Sequence, residues 1–140
     1  MNVWKIEAIL DALAQIENAI VTDVQDTSPA LLVAKISELI NLYPSSSEAL
    51  ASATYWRDLM KKEEYDKVIK AIKNNQLGKD MAGVTSASNL TKYIESRIAE
   101  ANYLVTKAER LNRALTHAME GYRSILSMEK ESAKISNYNI

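Results

Sequence analysis

Apolar positions in the last third of the chain recur alternately three and four residues apart. Ile94, Ala101, Leu104, Ala108, Leu111, Leu115, Ala118, Tyr122 and Ile125 follow this rhythm. It predicts one uninterrupted helix from about Ser86 to Ser132, with a seam that keeps facing a partner helix. At about 1.5 Å of rise per residue, such a helix is roughly 65–70 Å long. A chain of 140 residues cannot cover that rod alone, so the nine positions read as an oligomer interface. Packing on the preceding helix is the intramolecular alternative for part of the stripe. Arg97 falls where the heptad expects an apolar side chain, which implies either drift of the helix or an acid across the interface.

The same reading applies upstream. Ile6, Ile9, Leu10, Leu13, Ile16 and Ile20 mark one face of a first helix over about Val3–Ile20. Ser28 before Pro29 starts a second helix, since the hydroxyl caps free N–H groups and proline loses no needed bond at the first position. Leu32, Ile36, Leu39, Ile40 and Tyr43 form its face. Pro44 is expected to interrupt it, with Ser45 and Glu48 as a capping box for a third helix over about Ser47–Gln76. Leu50, Ala53, Trp56, Leu59, Met60, Val68, Ile69 and Ile72 are its expected buried positions. Gly78 and Gly83 place a loop over 78–86, with Thr85 or Ser86 as the cap of the long helix. The tail from Ser136 has no periodicity and is expected to fray.

The chain is therefore expected to be all-α, an elongated helical bundle or hairpin with a long coiled-coil-like C-terminal helix. It reads as one helical domain of 1–140: acidic helices over 1–43, a lysine-rich helix over 45–77, a loop over 78–86 and an assembly helix over 87–132. Composition agrees, with three Gly, two Pro and no Phe. No period-two strand pattern occurs. Without cysteine there are no disulfides or thiolate metal sites, which fits a cytoplasmic protein. The charged N-terminus does not read as a signal peptide, and no apolar run is long enough to span a membrane.

Net charge is −1 but unevenly placed. Residues 1–54 carry two Lys against seven acids, and the remainder is mildly basic. Lys61, Lys62, Lys67, Lys70 and Lys73 enrich the third helix, and Arg110 and Arg113 lie one turn apart on the long helix. Tyr55, Trp56, Tyr65, Tyr93, Tyr103 and Tyr122 interleave with them. Cations plus aromatic platforms are what single-stranded nucleic acid requires. Acids alternate with these bases, however, as on any solvated helix face. Lysines at a helix C-terminus also favour the helix dipole.

Chemical motifs are absent. No phosphate-binding glycine loop, nucleophile elbow or metal-ligand spacing occurs, and no cofactor, catalytic residue or small-molecule substrate is expected. The single histidine, His117, has Glu120 three residues on and no other partner in sequence.

One resemblance can be stated. Ala53-Thr-Tyr-Trp-Arg-Asp-Leu59, the lysine-rich run to Lys73, and Ala114-Leu-Thr-His-Ala-Met-Glu-Gly-Tyr-Arg-Ser-Ile-Leu126 resemble, in pattern and order, the small phage recombination mediators of the UvsY type. The similarity covers about residues 30–130. It implies a homo-oligomer that binds single-stranded DNA and helps load a recombinase onto strands coated with single-strand-binding protein. The five lysines of the third helix would then contact DNA, and the long helix would join subunits. The competing expectation is a helical adaptor, scaffold or assembly protein that binds another protein's helix through the seam.

Overall fold

The computed structural model describes residues 2–24, 28–74 and 86–138, with the side chains of Ala87, Asn137 and Tyr138 excepted. These residues form α1 (Ile6–Val21), α2 (Pro29–Asn41), α3 (Tyr43–Lys73), α4 (Ala87–Arg97) and α5 (Ala99–Tyr138). The all-α class is as expected, and no strand occurs among the described residues. Gly78, Lys79, Gly83, Thr85 and most of the expected loop lie outside the described residues.

The axis of the fold is the antiparallel pair of α3 and α5. Tyr43 donates its hydroxyl hydrogen to Thr116 Oγ1 at 2.8 Å, and Asn112 Nδ2 donates to Ser46 Oγ at 3.0 Å. Farther along, Glu64 meets Arg97 at 3.5 Å. Small side chains make the close approach possible. Ser46, Ala49, Ser52 and Ala53 are buried on α3, opposite Ala101, Val105 and Ala108 on α5. Among the described residues no buried side-chain nitrogen or oxygen lacks a hydrogen-bond partner.

Helix α1 lies over α3 and α5. The backbone N–H of Trp4 donates to Ser52 Oγ at 3.0 Å, and Trp56 Nε1 donates to the Trp4 carbonyl at 2.7 Å. Ile9 and Leu13 then enter a core with Ala49, Ala53, Val105 and Ala108. A second core joins α1, α2 and α5 through Ala19, Ile36, Leu39, Leu115 and Met119. Each fully buried aliphatic side chain of this kind contributes about 1.5–3 kcal/mol. A third, smaller core of Val68, Ile94 and Ile98 fastens α4 to the C-terminal half of α3.

The long helix is not uninterrupted. It breaks at Ile98, whose backbone (φ −109°, ψ 18°) leaves the helical region for one residue. No proline or glycine lies there. Burial of Ile94 and Ile98 against Val68, with the Arg97–Glu64 pair, draws α4 onto α3. Ser86 caps α4 as expected, its Oγ accepting from the Asn89 N–H at 3.3 Å. Helix α5 then continues to Tyr138, beyond the expected fray point.

Other expectations need correction. Pro44 does not separate two helices; it sits in the first turn of α3, and Leu42 alone divides α2 from α3. The capping box of Ser45 and Glu48 does not form, because α3 has already begun and its cap, Leu42, offers no side-chain bond. Ile6, Leu10, Ile40, Ile69 and Ile72 are exposed rather than buried. Ser28 does cap α2, accepting from the Leu31 N–H at 3.4 Å.

Candidate nucleic-acid interface

Helical spacing decides where the basic residues point. Lys61 and Lys70 are nine positions apart, about half a turn round the helix, so the five lysines of α3 do not share one face. Lys62, Lys70 and Lys73 lie on its outer side, together with exposed Tyr55 and Asp66. Lys61 turns toward α4. It lines a cleft of about 310 Å³ with Arg57, Asp58, Tyr65, Glu95 and Asn102. Lys67 Nζ is 3.3 Å from Glu64 Oε1.

Arg110 and Arg113 lie on the outer side of α5, both exposed, with His117 one turn on. They do not join the lysines. Asn112 marks the level of Ser46, and from there Lys61 to Lys73 lie about 22–40 Å farther along α3. The basic positions thus form two groups on a rod rather than one pocket. Six of the seven, all but Lys67, are exposed and make no ion pair among the described residues. Tyr103, 67% exposed, stands beside Lys107 and Arg110. Of the other aromatics, Trp56, Tyr65, Tyr93 and Tyr122 are half-buried in the cores.

Glu64 and Lys35 are the charged residues that sequence reasoning missed. Glu64 is nearly buried, accepts a hydrogen bond from Lys67 and forms an ion pair with Arg97, so it ties α3 to α4. Arg97 is therefore not a seam residue; its acid lies within the same chain. Lys35 is buried on α2, and its ammonium donates to the Ala19 carbonyl at 2.7 Å while pairing with Glu38 at 3.4 Å. A cation there also meets the negative end of α1. An internal lysine surrounded by Val33, Ala34 and Ile36 was a visible signal.

The predicted seam is largely spent inside the chain. Ile94, Ala101, Ala108 and Leu115 are buried in the chain's own cores. Leu104, Leu111, Ala118 and Tyr122 are half-buried, and Ile125 is 37% exposed. The second buried column is not the one the spacing selected. It runs one residue later, through buried Ile98, Val105 and Met119 and half-buried Asn112 and Leu126, with α1, α2 and α3 against it. The chain therefore does cover α5, as far as about Leu126. Beyond it the described side chains are exposed, Glu129 excepted.

His117 Nδ1 lies 3.8 Å from Glu120 Oε2, both well exposed. Among the described residues no cluster of His, Asp or Glu has the geometry of a metal site, and no helix is long and apolar enough to cross a membrane. Tyr122 donates to Asp23 Oδ1 at 3.3 Å. Its pKa is raised above 10.0, first by burial and then by the Asp23 charge. No family model matches the chain, and no curated protein or solved structure shows detectable similarity to it.

Proposed function

We infer that this chain is a non-enzymatic accessory protein of single-stranded DNA, cytoplasmic and phage- or prophage-encoded. In this reading it acts in the manner of the recombination mediators it resembles, with a recombinase or a single-strand-binding protein as its protein partner. One observation carries the reading. Lys61, Lys62, Lys70, Lys73, Arg110 and Arg113 are exposed and unpaired among the described residues, and they are strung along a rod. An extended polyanion meets successive cations on such a surface, and each phosphate neutralised releases condensed counterions. Tyr55 and Tyr103 supply exposed rings on which unpaired bases stack. The adaptor reading is favoured by a different observation, the bare end of α5.

Fluorescence anisotropy of a labelled single strand of about 40 nucleotides, titrated at several salt concentrations, tests the DNA reading. Binding is expected at low salt, with a steep fall as salt rises. Lys70→Ala with Lys73→Ala weakens it and flattens the slope of log K against log salt by about 1.4, at about 0.7 per phosphate contact. A duplex of the same sequence binds less tightly, because its bases are not open to stacking. No change in anisotropy at low salt overturns the reading.

A further inference from the structure

Lys67 and Arg97 converge on one anion. Lys67 Nζ lies 3.3 Å from Glu64 Oε1 and Arg97 Nε lies 3.5 Å from Oε2, so each carboxylate oxygen has its own cation. Burial of the three is unequal. The Glu64 side chain is 11% exposed, whereas those of Lys67 and Arg97 are 61% and 51% exposed. The carboxylate therefore sits beneath two cations that remain open to solvent. Two cations held this close, one of them an arginine, suit a phosphate, and here the chain's own carboxylate fills the place. Lys67 stands one turn from Lys70, so the filled place adjoins the outer lysines of α3. Arg97 reaches Glu64 only because α4 is docked, and beyond that ion pair the docking rests on the small core of Val68, Ile94 and Ile98. A hinge is present as well. Ile98 departs from helical geometry with no proline or glycine, and hydrogen bonds from Ile98 N–H to the Ile94 carbonyl and from Asn102 N–H to the Ile98 carbonyl run on either side of it.

We propose that Glu64 is an internal competitor for phosphate, and that docked α4 keeps Lys67 and Arg97 from the strand until the strand displaces it. This rests on the DNA reading and adds its regulation. A phosphodiester that draws Lys67 and Arg97 outward leaves Glu64 charged, nearly buried and without a cation, which is strongly unfavourable. Departure of α4 about Ile98 relieves this by opening the carboxylate to water. Strand binding and α4 docking are then antagonistic, and by reciprocity whatever weakens one strengthens the other. The internal hold is open to competition, because both cations are already half in water and their attraction to Glu64 is screened. A strand also brings many phosphates against a single carboxylate, with release of its condensed counterions.

The test uses the full chain and a labelled oligothymidylate of about 40 nucleotides. Glu64→Gln keeps the shape of the side chain and removes its charge. It should bind the strand more tightly, with the slope of log K against log salt steeper by about 1.4, for two further contacts at about 0.7 each. Glu63→Gln makes the same change of net charge one residue away and should leave the slope unaltered. Adding Lys67→Ala and Arg97→Ala to Glu64→Gln should return the slope to that of the wild type. Ile94→Ala, which loosens α4 without altering charge, should also tighten binding. In hydrogen exchange of the wild-type chain, saturating strand should speed the amides of residues 87–97 and not those of 99–126. Equal slopes for Glu64→Gln and Glu63→Gln, or amides of 87–97 slowed or unchanged by the strand, overturn the proposal while strand binding itself stands. Absence of binding by wild type and Glu64→Gln alike overturns the DNA reading and the proposal with it.

Discussion

Glu64 and Lys67 stand three apart on a helix, a spacing that in sequence marks an ordinary surface ion pair. Helix α4 makes it something else. It lowers a lid of Ile94 and Ile98 beside Glu64, and Arg97 arrives as a second cation. Both cations are more than half exposed, so water screens much of the attraction. Glu64→Gln is therefore expected to cost only about 1 kcal/mol, read as a lower urea midpoint at unchanged slope. Glu63→Gln, fully outside this arrangement, should change nothing measurable. Tyr122 predicts a pH effect. Its folded pKa is raised, so the folded state holds this proton after the unfolded chain has lost it. The contribution is complete below pH 10 and falls as pH rises through the folded value. In Tyr122→Phe, that share of the alkaline loss of stability should disappear from pH-resolved melts. Such couplings were not legible in the sequence, since each needs a residue brought from a distant element. The exposed lysines and arginines were legible one by one, though not their division into two groups.

Among the elements, the long helix divides what a repeat can and cannot tell. The column Ile94, Ala101, Ala108 and Leu115 stays on one side of the helix, as an apolar residue every seven positions must, but it is buried within the chain's own cores, whereas the repeat alone suggests an interface between subunits. Its companion was placed one residue too early. Leu104 and Leu111 resemble core residues more than Asn112 does, yet Asn112 faces α3 because Ser46 accepts its hydrogen bond. The break at Ile98 left no local mark either; it is imposed by Val68. Helix α4 is thus held by a small core. Ile94→Ala, which removes most of its central side chain, is expected to destabilise by about 2–4 kcal/mol. Amide exchange at residues 87–97 should accelerate more than at 99–126, since α4 has little else to hold it. Equal acceleration in both would mean that α4 opens only with the whole bundle.

For the molecule as a whole, segregation of charge along the chain becomes segregation in space. Glu7, Asp11 and Glu17 lie on the exposed side of α1 and Glu38 on that of α2, whereas Lys62, Lys70 and Lys73 occupy the outer side of α3 and Arg110 and Arg113 that of α5. The two tryptophans are also gathered in one place. Trp4 and Trp56, both half-buried, meet where the start of α1 docks on α3. Tryptophan fluorescence, excited at wavelengths the tyrosines do not absorb, therefore has a narrow view. It registers the arrival or departure of α1 and is blind to α4 and to the end of α5, whereas circular dichroism registers every helical turn. Coincidence of the two signals on heating would mark a single cooperative unit. Dichroism lost ahead of fluorescence would show the outer helices melting while the native tryptophan environment persists.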